Sequence, residues 1–230
     1  MQKRPTKNAV VIFAKSPTSG PVKTRLQNLL GPEAARRLAE AFLYDTIETA
    51  RRLTAVQIFL ACSPSQRDPC FQKLEQRYRI TLIDQKGRDL GQRMSEAFRE
   101  LKQRGFRKIL IIGSDLPTLP ISHLRQAFRL LLRYKIVVGP SLDGGYYLIG
   151  ISQHVPPIFD GIPWSTEQVF VMTMEKILEA KLSCGLLPFW YDVDRPEDLR
   201  FLSQHLRLLR QKDQKTAART MELLEKLIQT

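Results

Sequence analysis

The sequence predicts an α/β protein: a single-domain, three-layer α/β/α sandwich around a mostly parallel central sheet. The chain has 230 residues, which suits one globular domain, with 43% hydrophobic and 26% charged residues, near the average for soluble globular proteins. Short apolar runs alternate with segments of helical periodicity, which is typical of helices covering a parallel sheet. Several runs are continuously apolar, as strands buried on both faces are. Disordered, collagen-like and coiled-coil proteins are excluded.

The predicted strands are short runs rich in Val, Ile, Leu or aromatic residues and bounded by turn or charged residues. They cover residues 9–14, 56–61, 80–83, 108–113, 136–139, 146–150 and 185–190. The clearest predicted helices have apolar residues at spacings of three and four, and they cover residues 32–53, 120–133 and 165–181. Ser165 and Gln168 form the pattern of a capping box at the start of the last helix.

The C-terminal end differs in composition from the rest of the chain. Residues 195–210 and 215–229 indicate two basic helices joined by a polar segment. They could pack on the domain, mediate a dimer or contact an acidic surface, and we expect packing. We therefore predict a main domain over residues 1–203 and a basic C-terminal helical extension over 204–230.

The charge balance predicts a partner rich in phosphate. The chain has 36 Lys and Arg against 23 Asp and Glu, a formal net charge of +13, which suits a nucleotide, a nucleic acid or an anionic membrane. Three widely spaced cysteines and three histidines predict no zinc site. The apolar run at residues 9–14 is too short for a signal peptide or a membrane span, so we expect a cytoplasmic protein without a membrane span.

The loop after the first predicted strand is a candidate phosphate-binding site. It places Lys15, Lys23 and Arg25 around the flexible turn at Gly20 and runs into a helix. Glycine lets backbone N–H groups approach an anion, the helix start adds positive potential, and the cations supply charge-assisted hydrogen bonds. The loop matches neither G-x-G-x-x-G nor Walker A. The alternative is a solvated basic loop.

Three aspartates are candidate ligands for Mg²⁺ or Mn²⁺. Asp115 follows the strand 108–113, where a carboxylate could hold a hard cation. Asp192 and Asp194 are two residues apart, so that in an extended segment both face one side. The alternatives are a turn cap for Asp115 and a helix N-cap for Asp194, which has Glu197 three residues on.

Three further loops are candidates for substrate contacts. Residues 139–147 contain Asp143 and a glycine pair that form either a wall for a small substrate or a simple hairpin turn. Residues 161–166 precede a helix whose free N–H groups could bind an anion. Trp164 is either part of the core or a platform beside the substrate. Residues 87–93, with Leu90 and Gly91, lead into another helix and suit a nucleotide or acceptor contact.

Six motifs occur in one order over about residues 8–203: FAKSPTSGPVKTRL, DLGQRM, IGSDLPTL, GPSLDGGYYLIG, GIPWSTEQV and YDVDRPEDL. Together they resemble the radical-SAM/selenodomain-associated transferase 1 family of proposed glycosyltransferases. That family is assigned to the nucleotide-diphospho-sugar transferase fold, the GT-A type, which the resemblance implies for the main domain. The motifs VKTRL, SDLP and DVDRPEDL are also similar to those of 2-phospho-L-lactate guanylyltransferase.

The resemblance implies a role for each motif. A nucleotide would lie on Lys15, Gly20, Lys23, Arg25, Leu90, Gly91 and Ser114, and Mg²⁺ or Mn²⁺ on Asp115, Asp192 and Asp194. An acceptor would lie against Gly144, Gly145, Tyr146, Trp164, Ser165 and Thr166, with Asp143 as the catalytic group that orients or deprotonates it. A single carboxylate follows the fourth strand where glycosyltransferases of this fold carry D-x-D, an arrangement closer to the nucleotidyltransferases.

The resulting hypothesis is a divalent-metal-dependent transferase that uses a nucleotide-activated substrate. Transfer of a sugar from a nucleotide-diphospho-sugar to an unidentified small-molecule acceptor is favoured, because the closer resemblance carries that activity. The alternatives are nucleotidyl transfer with release of pyrophosphate, and non-catalytic binding of a nucleotide or a nucleic acid. No motif indicates a specific nucleic acid partner, and a homodimer is left open.

Overall fold

The computed structural model describes residues 7–152, 154–213 and 215–228, and within them seven strands form one sheet. The strands are β1 (Asn8–Lys15), β2 (Gln57–Ser63), β3 (Thr81–Asp84), β4 (Lys108–Gly113), β5 (Ile136–Pro140), β6 (Tyr146–Ile151) and β7 (Cys184–Leu186). Their order in the sheet is β3-β2-β1-β4-β6-β5-β7. Strand β6 is antiparallel to β4 and β5, and the other pairs are parallel. The predicted mostly parallel sheet is confirmed.

Most of the helices connect successive strands, and the last two follow β7. They are α1 (Thr24–Leu30), α2 (Pro32–Arg51), α3 (Pro69–Tyr78), α4 (Leu90–Gln103), α5 (Ile121–Leu130), α6 (Val169–Glu179), α7 (Pro196–Arg210) and α8 (Ala218–Ile228). None of these helices, taken over the ranges just given, is long and apolar enough to cross a membrane.

Helices cover both faces of the sheet, which confirms the three-layer α/β/α prediction. Val10 and Ile12 of β1 belong to one core cluster, which also contains apolar residues of α2, α3 and α5. Ala9 and Val11 belong to a second cluster with residues of α4 and α6. Alternate residues of a strand point to opposite faces, so β1 is buried on both sides. This explains why its sequence is continuously apolar.

The two C-terminal helices pack on the first two helices: α8 contacts α2, and α7 contacts α1 and α8. Leu202 and Leu206 of α7 and Leu224 of α8 are buried in a third cluster that includes Leu38 and Phe42 of α2. Packing is therefore what these basic helices do, as expected. Helix α7 continues through position 203, and the proposed division into residues 1–203 and 204–230 stays a prediction.

Three local predictions differ from the structure. The strand predicted at 185–190 ends at Leu186, and Pro188 lacks the N–H that a continuing strand would need. The helix predicted from residue 165 begins at Val169. Ser165 has φ 68° and Gln168 makes no side-chain capping bond, so the predicted capping box is wrong. Helix α3 was not predicted.

The topology brings three segments to one edge of the sheet. Strands β1 and β4 are parallel neighbours, so the loop after Lys15 and the loop after Gly113 begin side by side. The segment after β7 reaches the same edge, where the N–H of Val193 donates to the carbonyl oxygen of Asp115 at 3.3 Å. In open α/β sheets this carboxyl edge is where ligands bind.

Candidate active site

Lys23 lies between two of the carboxylates predicted as metal ligands. Its ammonium Nζ is 2.9 Å from Asp115 Oδ2 and 2.6 Å from Asp194 Oδ1, and the Lys23 side chain is only 4% exposed. The ammonium also donates to the carbonyl oxygen of Val193 at 2.7 Å. These three oxygen acceptors match its three N–H donors. Burial disfavours the charged ammonium, but the charges of Asp115 and Asp194 outweigh it and raise the pKa of Lys23.

Main-chain conformation and contacts with α2 position both Lys23 and the segment that carries Asp115. Lys23 has left-handed dihedrals (φ 49°, ψ 41°) directly before α1, which are unfavourable for a residue with a Cβ. Its ammonium lies 5.5 Å from the ring centre of Phe42 in α2. Ser114, the residue before Asp115, accepts a threonine hydroxyl of α2 on its carbonyl oxygen at 3.2 Å. The bonded residues Lys23 and Val193 are 170 positions apart in the chain.

Asp192, the third predicted ligand, is held by a serine. The hydroxyl of Ser141 donates to Asp192 Oδ1 at 3.1 Å. Burial, followed by the charges of Asp143 and Asp194, raises the pKa of Asp192 to about 6. The structure thus brings Asp143 and Asp192 close enough for their charges to interact.

The loop after β1 presents its other predicted cations to solvent. Lys15 is exposed, and its ammonium donates to the carbonyl oxygen of Pro21 at 3.0 Å. Gly20 has φ 96°, a conformation that glycine adopts without strain. Arg25 is 62% exposed, with its guanidinium 3.9 Å from Asp194 Oδ2, so water screens this pair. Two cations are therefore accessible to an anion beside the buried ammonium.

Asp68 anchors this loop, although the sequence analysis does not single it out. It is buried, and it accepts hydrogen bonds from the hydroxyls of Ser19 and Thr18 and from the N–H of Cys70 at 2.9 Å. Burial opposes its ionisation, but these hydrogen bonds outweigh it and lower the pKa of Asp68. The sequence does contain one local indication of its role, because Asp68 followed by Pro69 is the pattern of a helix start. Its bond to Ser19 has no signature in the sequence.

The predicted acceptor loop between β5 and β6 is a hairpin turn that packs on the segment leading into α6. Asp143 Oδ1 accepts the N–H of Gly145 at 3.0 Å, which is how aspartate stabilises a turn. The N–H of Phe170 donates to the carbonyl oxygen of Gly144 at 2.8 Å. A Cβ on Gly144 would collide with the main chain of Glu167. The hairpin-turn interpretation is therefore confirmed, and the substrate wall stays a prediction.

Trp164, in the segment leading into α6, packs against the start of α4. A Cβ on Gly91 would lie 2.5 Å from Cζ2 of Trp164, so the indole packs directly on the glycine. The rings of Trp164 and Tyr146 meet edge to face, with centroids 6.4 Å apart. Leu90, also predicted to contact a nucleotide, is 43% exposed. Trp164 is half-buried, which allows it both packing and a ligand contact.

Ser165 and Thr166 are exposed, and Thr166 shapes the turn before α6. Its hydroxyl donates to the carbonyl oxygen of Pro163 at 2.7 Å and accepts the N–H of Gln168 at 3.3 Å. The structure therefore places Thr166, rather than Ser165, in a capping role within this loop.

Asp194 is not the N-cap of α7, which corrects the alternative function considered for it. The N-cap is Arg195, and the carboxylate of Asp198, at the third position of the helix, belongs to a capping box in which it accepts the N–H of Arg195 at 2.7 Å and that of Asp194 itself at 3.0 Å. The side chain of Asp194 is thereby left to bind Lys23.

The predicted metal ligands fit a divalent cation in donor type but not in arrangement. Asp115, Asp192 and Asp194 supply carboxylate oxygens, which Mg²⁺ prefers. However, the ammonium of Lys23 stands between Asp115 and Asp194. Across residues 7–152, 154–213 and 215–228, no group of three or more His, Cys, Asp or Glu is placed to hold a metal ion.

Two cavities lie away from these residues. One, of about 430 Å³, is lined by residues at the amino-terminal ends of β2 and β3, including Gln57 and Ile80. Another, of about 300 Å³, lies beside Ile136 at the start of β5. Both are at the sheet edge opposite Lys23. We assign the candidate active site by its convergent charged groups, because catalysis depends on them more than on enclosed volume.

The fold is α/β and resembles that of nucleotide-diphospho-sugar transferases. The chain belongs to the family described as "Uncharacterized protein conserved in bacteria (DUF2064)", whose model matches residues 46–166, more than half of the sequence.

Similar proteins include enzymes and solved structures. The chain is 24% identical over 183 residues to 2-phospho-L-lactate guanylyltransferase of Methanocaldococcus infernus, covering 77% of each protein. It is 31% identical to a Desulfovibrio desulfuricans G20 protein provisionally named a nucleotide-diphospho-sugar transferase, with TM-score 0.87 and 97% of each chain covered. A Leptospira borgpetersenii cytidylyltransferase has TM-score 0.57 at 13% identity, covering 96% of this chain and 94% of that one. This last likeness concerns the fold alone.

Proposed function

We propose that this chain is a transferase acting on a nucleotide-activated substrate, and that it transfers the nucleotidyl group with release of pyrophosphate. The observation that carries the proposal is the meeting of Lys23 with Asp115 and Asp194 at the carboxyl edge of the sheet. A single carboxylate follows β4, and the second comes from the segment after β7. The similarity to 2-phospho-L-lactate guanylyltransferase over 77% of the chain supports the same reaction.

The residues of the first loop would bind the phosphates. Lys15 and Arg25 are exposed beside Lys23 and provide charge-assisted hydrogen bonds to phosphate oxygens. In the transfer, an acceptor oxygen bonds to the α-phosphorus, and the bond from that phosphorus to the β-bridging oxygen breaks. The leaving pyrophosphate takes the electron pair. Positive side chains fixed at this place stabilise the charge that develops on the phosphates.

We propose Mg²⁺ or Mn²⁺ as the cofactor, with Asp115, Asp192 and Asp194 as its ligands. When bound, such a cation supplies charge neutralisation on phosphate oxygens. The carboxylate donors support this proposal, although the ammonium of Lys23 lies between Asp115 and Asp194, where the cation would bind.

The two docked loops would form the acceptor site. We place the acceptor against Gly144, Gly145, Tyr146, Trp164, Ser165 and Thr166, with Asp143 orienting or deprotonating its attacking group. This role of Asp143 is supported by its position close enough to Asp192 for the two carboxylate charges to interact. The hydrogen bond from Phe170, in the first turn of α6, to Gly144 fixes the β5–β6 turn against the start of that helix.

Glycosyl transfer is the second candidate. It is supported by the name and the 31% identity of the Desulfovibrio desulfuricans protein. The narrower assignment to the radical-SAM/selenodomain-associated transferase 1 family is likewise a proposal, supported by the six motifs. A homodimer also stays a prediction.

The experiment that tests the proposal has two stages. Thermal shifts are measured with the four NTPs, the diphosphates and their sugar conjugates, each with and without Mn²⁺. A ligand at about 100 times its Kd adds roughly 2.7 kcal/mol, or roughly 5–11 °C in a protein of this size. Products are then assayed with the stabilising nucleotide. We expect pyrophosphate; release of a nucleoside diphosphate from a sugar conjugate would establish glycosyl transfer, and no shift with any nucleotide would refute both.

A further inference from the structure

We propose that Lys23 is an internal counter-ion that keeps a divalent cation out of the nucleotide-free site, so that the cation enters only together with a nucleotide. The inference rests on the proposed function in one respect, that nucleotide phosphates bind at the loop after β1. It concerns the order in which the ligands bind.

The ammonium already uses one oxygen of each of the two carboxylates that a bridging cation would need. Nζ of Lys23 lies 2.9 Å from Asp115 Oδ2 and 2.6 Å from Asp194 Oδ1. A divalent cation such as Mg²⁺ binds carboxylate oxygens at about 2.0–2.1 Å. Two cations cannot share these two oxygens at such distances, because their like charges would repel strongly in a partly buried site. Binding of the metal therefore requires the ammonium to leave.

The ammonium does not leave without another acceptor. Its side chain is 4% exposed, it is hydrogen-bonded to Val193 as well as to both carboxylates, and it packs near the ring of Phe42. Moving it alone would strand a buried cation and leave Asp115 and Asp194 repelling each other. In the nucleotide-free protein the site is thus closed by a neutralising side chain.

Phosphate oxygens provide that other acceptor. Lys15 at the end of β1 and Arg25 in the first turn of α1 are both exposed, and they attract a polyphosphate to the place where Lys23 precedes α1. When the ammonium turns to a phosphate oxygen, the two aspartates lose their counter-ion. Asp115 and Asp194 would then be free to hold a divalent cation that accompanies the nucleotide, and that cation would neutralise their charges in place of the ammonium.

The test measures Mn²⁺ binding to the full chain without nucleotide, from the electron paramagnetic resonance signal of free Mn²⁺. Lys23→Met should bind Mn²⁺ at least tenfold more tightly than the wild type. Lys15→Met is the matched control, because it removes one positive charge from the same loop without touching Asp115 or Asp194. Its Mn²⁺ affinity should stay within about twofold of the wild type.

Equal affinity of the wild type and Lys23→Met would overturn the proposal, as would an equal gain in Lys15→Met. Circular dichroism checks that Lys23→Met folds, and Lys23→Gln is the second variant if it does not. Adding GTP should raise the Mn²⁺ affinity of the wild type at least tenfold, after correction for Mn²⁺ on free GTP, and that of Lys23→Met by less. If Lys23→Met binds Mn²⁺ more tightly but GTP does not raise the Mn²⁺ affinity of the wild type, the coupled binding of cation and nucleotide and the proposed nucleotide site are both refuted. The role of Lys23 as a counter-ion would still stand.

Discussion

Asp45 of α2 caps the start of α8 by accepting both the N–H of Thr220 at 2.9 Å and its hydroxyl at 2.6 Å. Both residues are buried, and they are 175 positions apart. The other oxygen of Asp45 accepts the N–H of Arg219 at 3.2 Å. The first N–H groups of a helix have no partner within it, so α8 depends on this carboxylate for its place on the domain.

Replacing Asp45 by Asn should destabilise the protein. Both oxygens of Asp45 accept backbone N–H groups, so either orientation of the amide turns its NH₂ against an N–H donor. An unsatisfied buried donor costs about 1–3 kcal/mol, and at roughly 2–4 °C per kcal/mol the melting temperature should fall by about 2–12 °C. In the control Asp89→Asn, at the exposed N-cap of α4, one oxygen accepts one N–H, and asparagine can replace it. Equal small losses in both would contradict the role of Asp45.

The sheet and the loops at its carboxyl edge could be predicted because they depend on local patterns. Continuous apolar runs marked β1 and β4, and parallel neighbours necessarily begin their following loops side by side. That rule alone placed Lys23 and Asp115 at one edge. The Asp-Gly turn of the β5–β6 hairpin was equally local.

The pairing within the site could not be predicted, because it depends on contacts between distant residues. Whether Lys23 faces solvent or two aspartates is set by its left-handed backbone and by the tie between Val193 and Asp115. The sequence offered Asp194 as an N-cap, and only the structure shows that Arg195 is the N-cap and that Asp198 completes the capping box. The capping of α8 by Asp45 likewise has no local sequence pattern.

Asp192→Asn should stabilise the metal-free protein at neutral pH. Burial and the carboxylates of Asp143 and Asp194 raise the pKa of Asp192 from 3.8 to about 6. The folded protein therefore holds more protons than the unfolded chain between about pH 4 and 6, and its free energy of unfolding falls as pH rises through that window. Asparagine avoids this loss and can still accept the Ser141 hydroxyl.

Melting temperatures measured with EDTA from pH 4 to 8 check this. The advantage of Asp192→Asn should be small at pH 4 and full above pH 6. Asp213→Asn is a control of opposite sign, because the N–H of Lys215 lowers the pKa of Asp213. The window for Asp213 lies at and below about pH 4, because its pKa is lowered from 3.8, so the stability of that variant relative to the wild type should fall as pH rises to this point and then stay constant up to pH 8. An Asp192→Asn advantage that is the same at pH 4 and pH 7 would rule out the electrostatic explanation.

Gly91→Ala should displace Trp164. The new Cβ would lie 2.5 Å from Cζ2 of Trp164 and 2.7 Å from the carbonyl oxygen of Phe159, so the indole has to move. Overpacking of this kind costs about 1–3 kcal/mol. We expect a lower melting temperature and a change in tryptophan fluorescence emission. Gly113→Ala is the matched control, since its Cβ would meet nothing within 4 Å, and unchanged emission in Gly91→Ala would refute the packing.

Asp115→Asn should remove turnover while the fold survives. The tie to Val193 uses the main-chain carbonyl of Asp115, which the substitution leaves in place. Asparagine also retains an oxygen for the ammonium of Lys23. What disappears is a negative charge 2.9 Å from that ammonium, and with it the proposed anchor for Mg²⁺ or Mn²⁺.

We expect pyrophosphate release by Asp115→Asn to fall by about 100-fold or more, as when one electrostatic group is removed from an active site. Circular dichroism and the melting temperature should stay close to those of the wild type. The same substitution at Asp213, which lies outside the site and pairs with Arg52, should leave turnover unchanged. Full activity in Asp115→Asn would show that the carboxylate after β4 takes no part in the reaction, because a charge that anchors the cation cannot be lost without slowing the transfer.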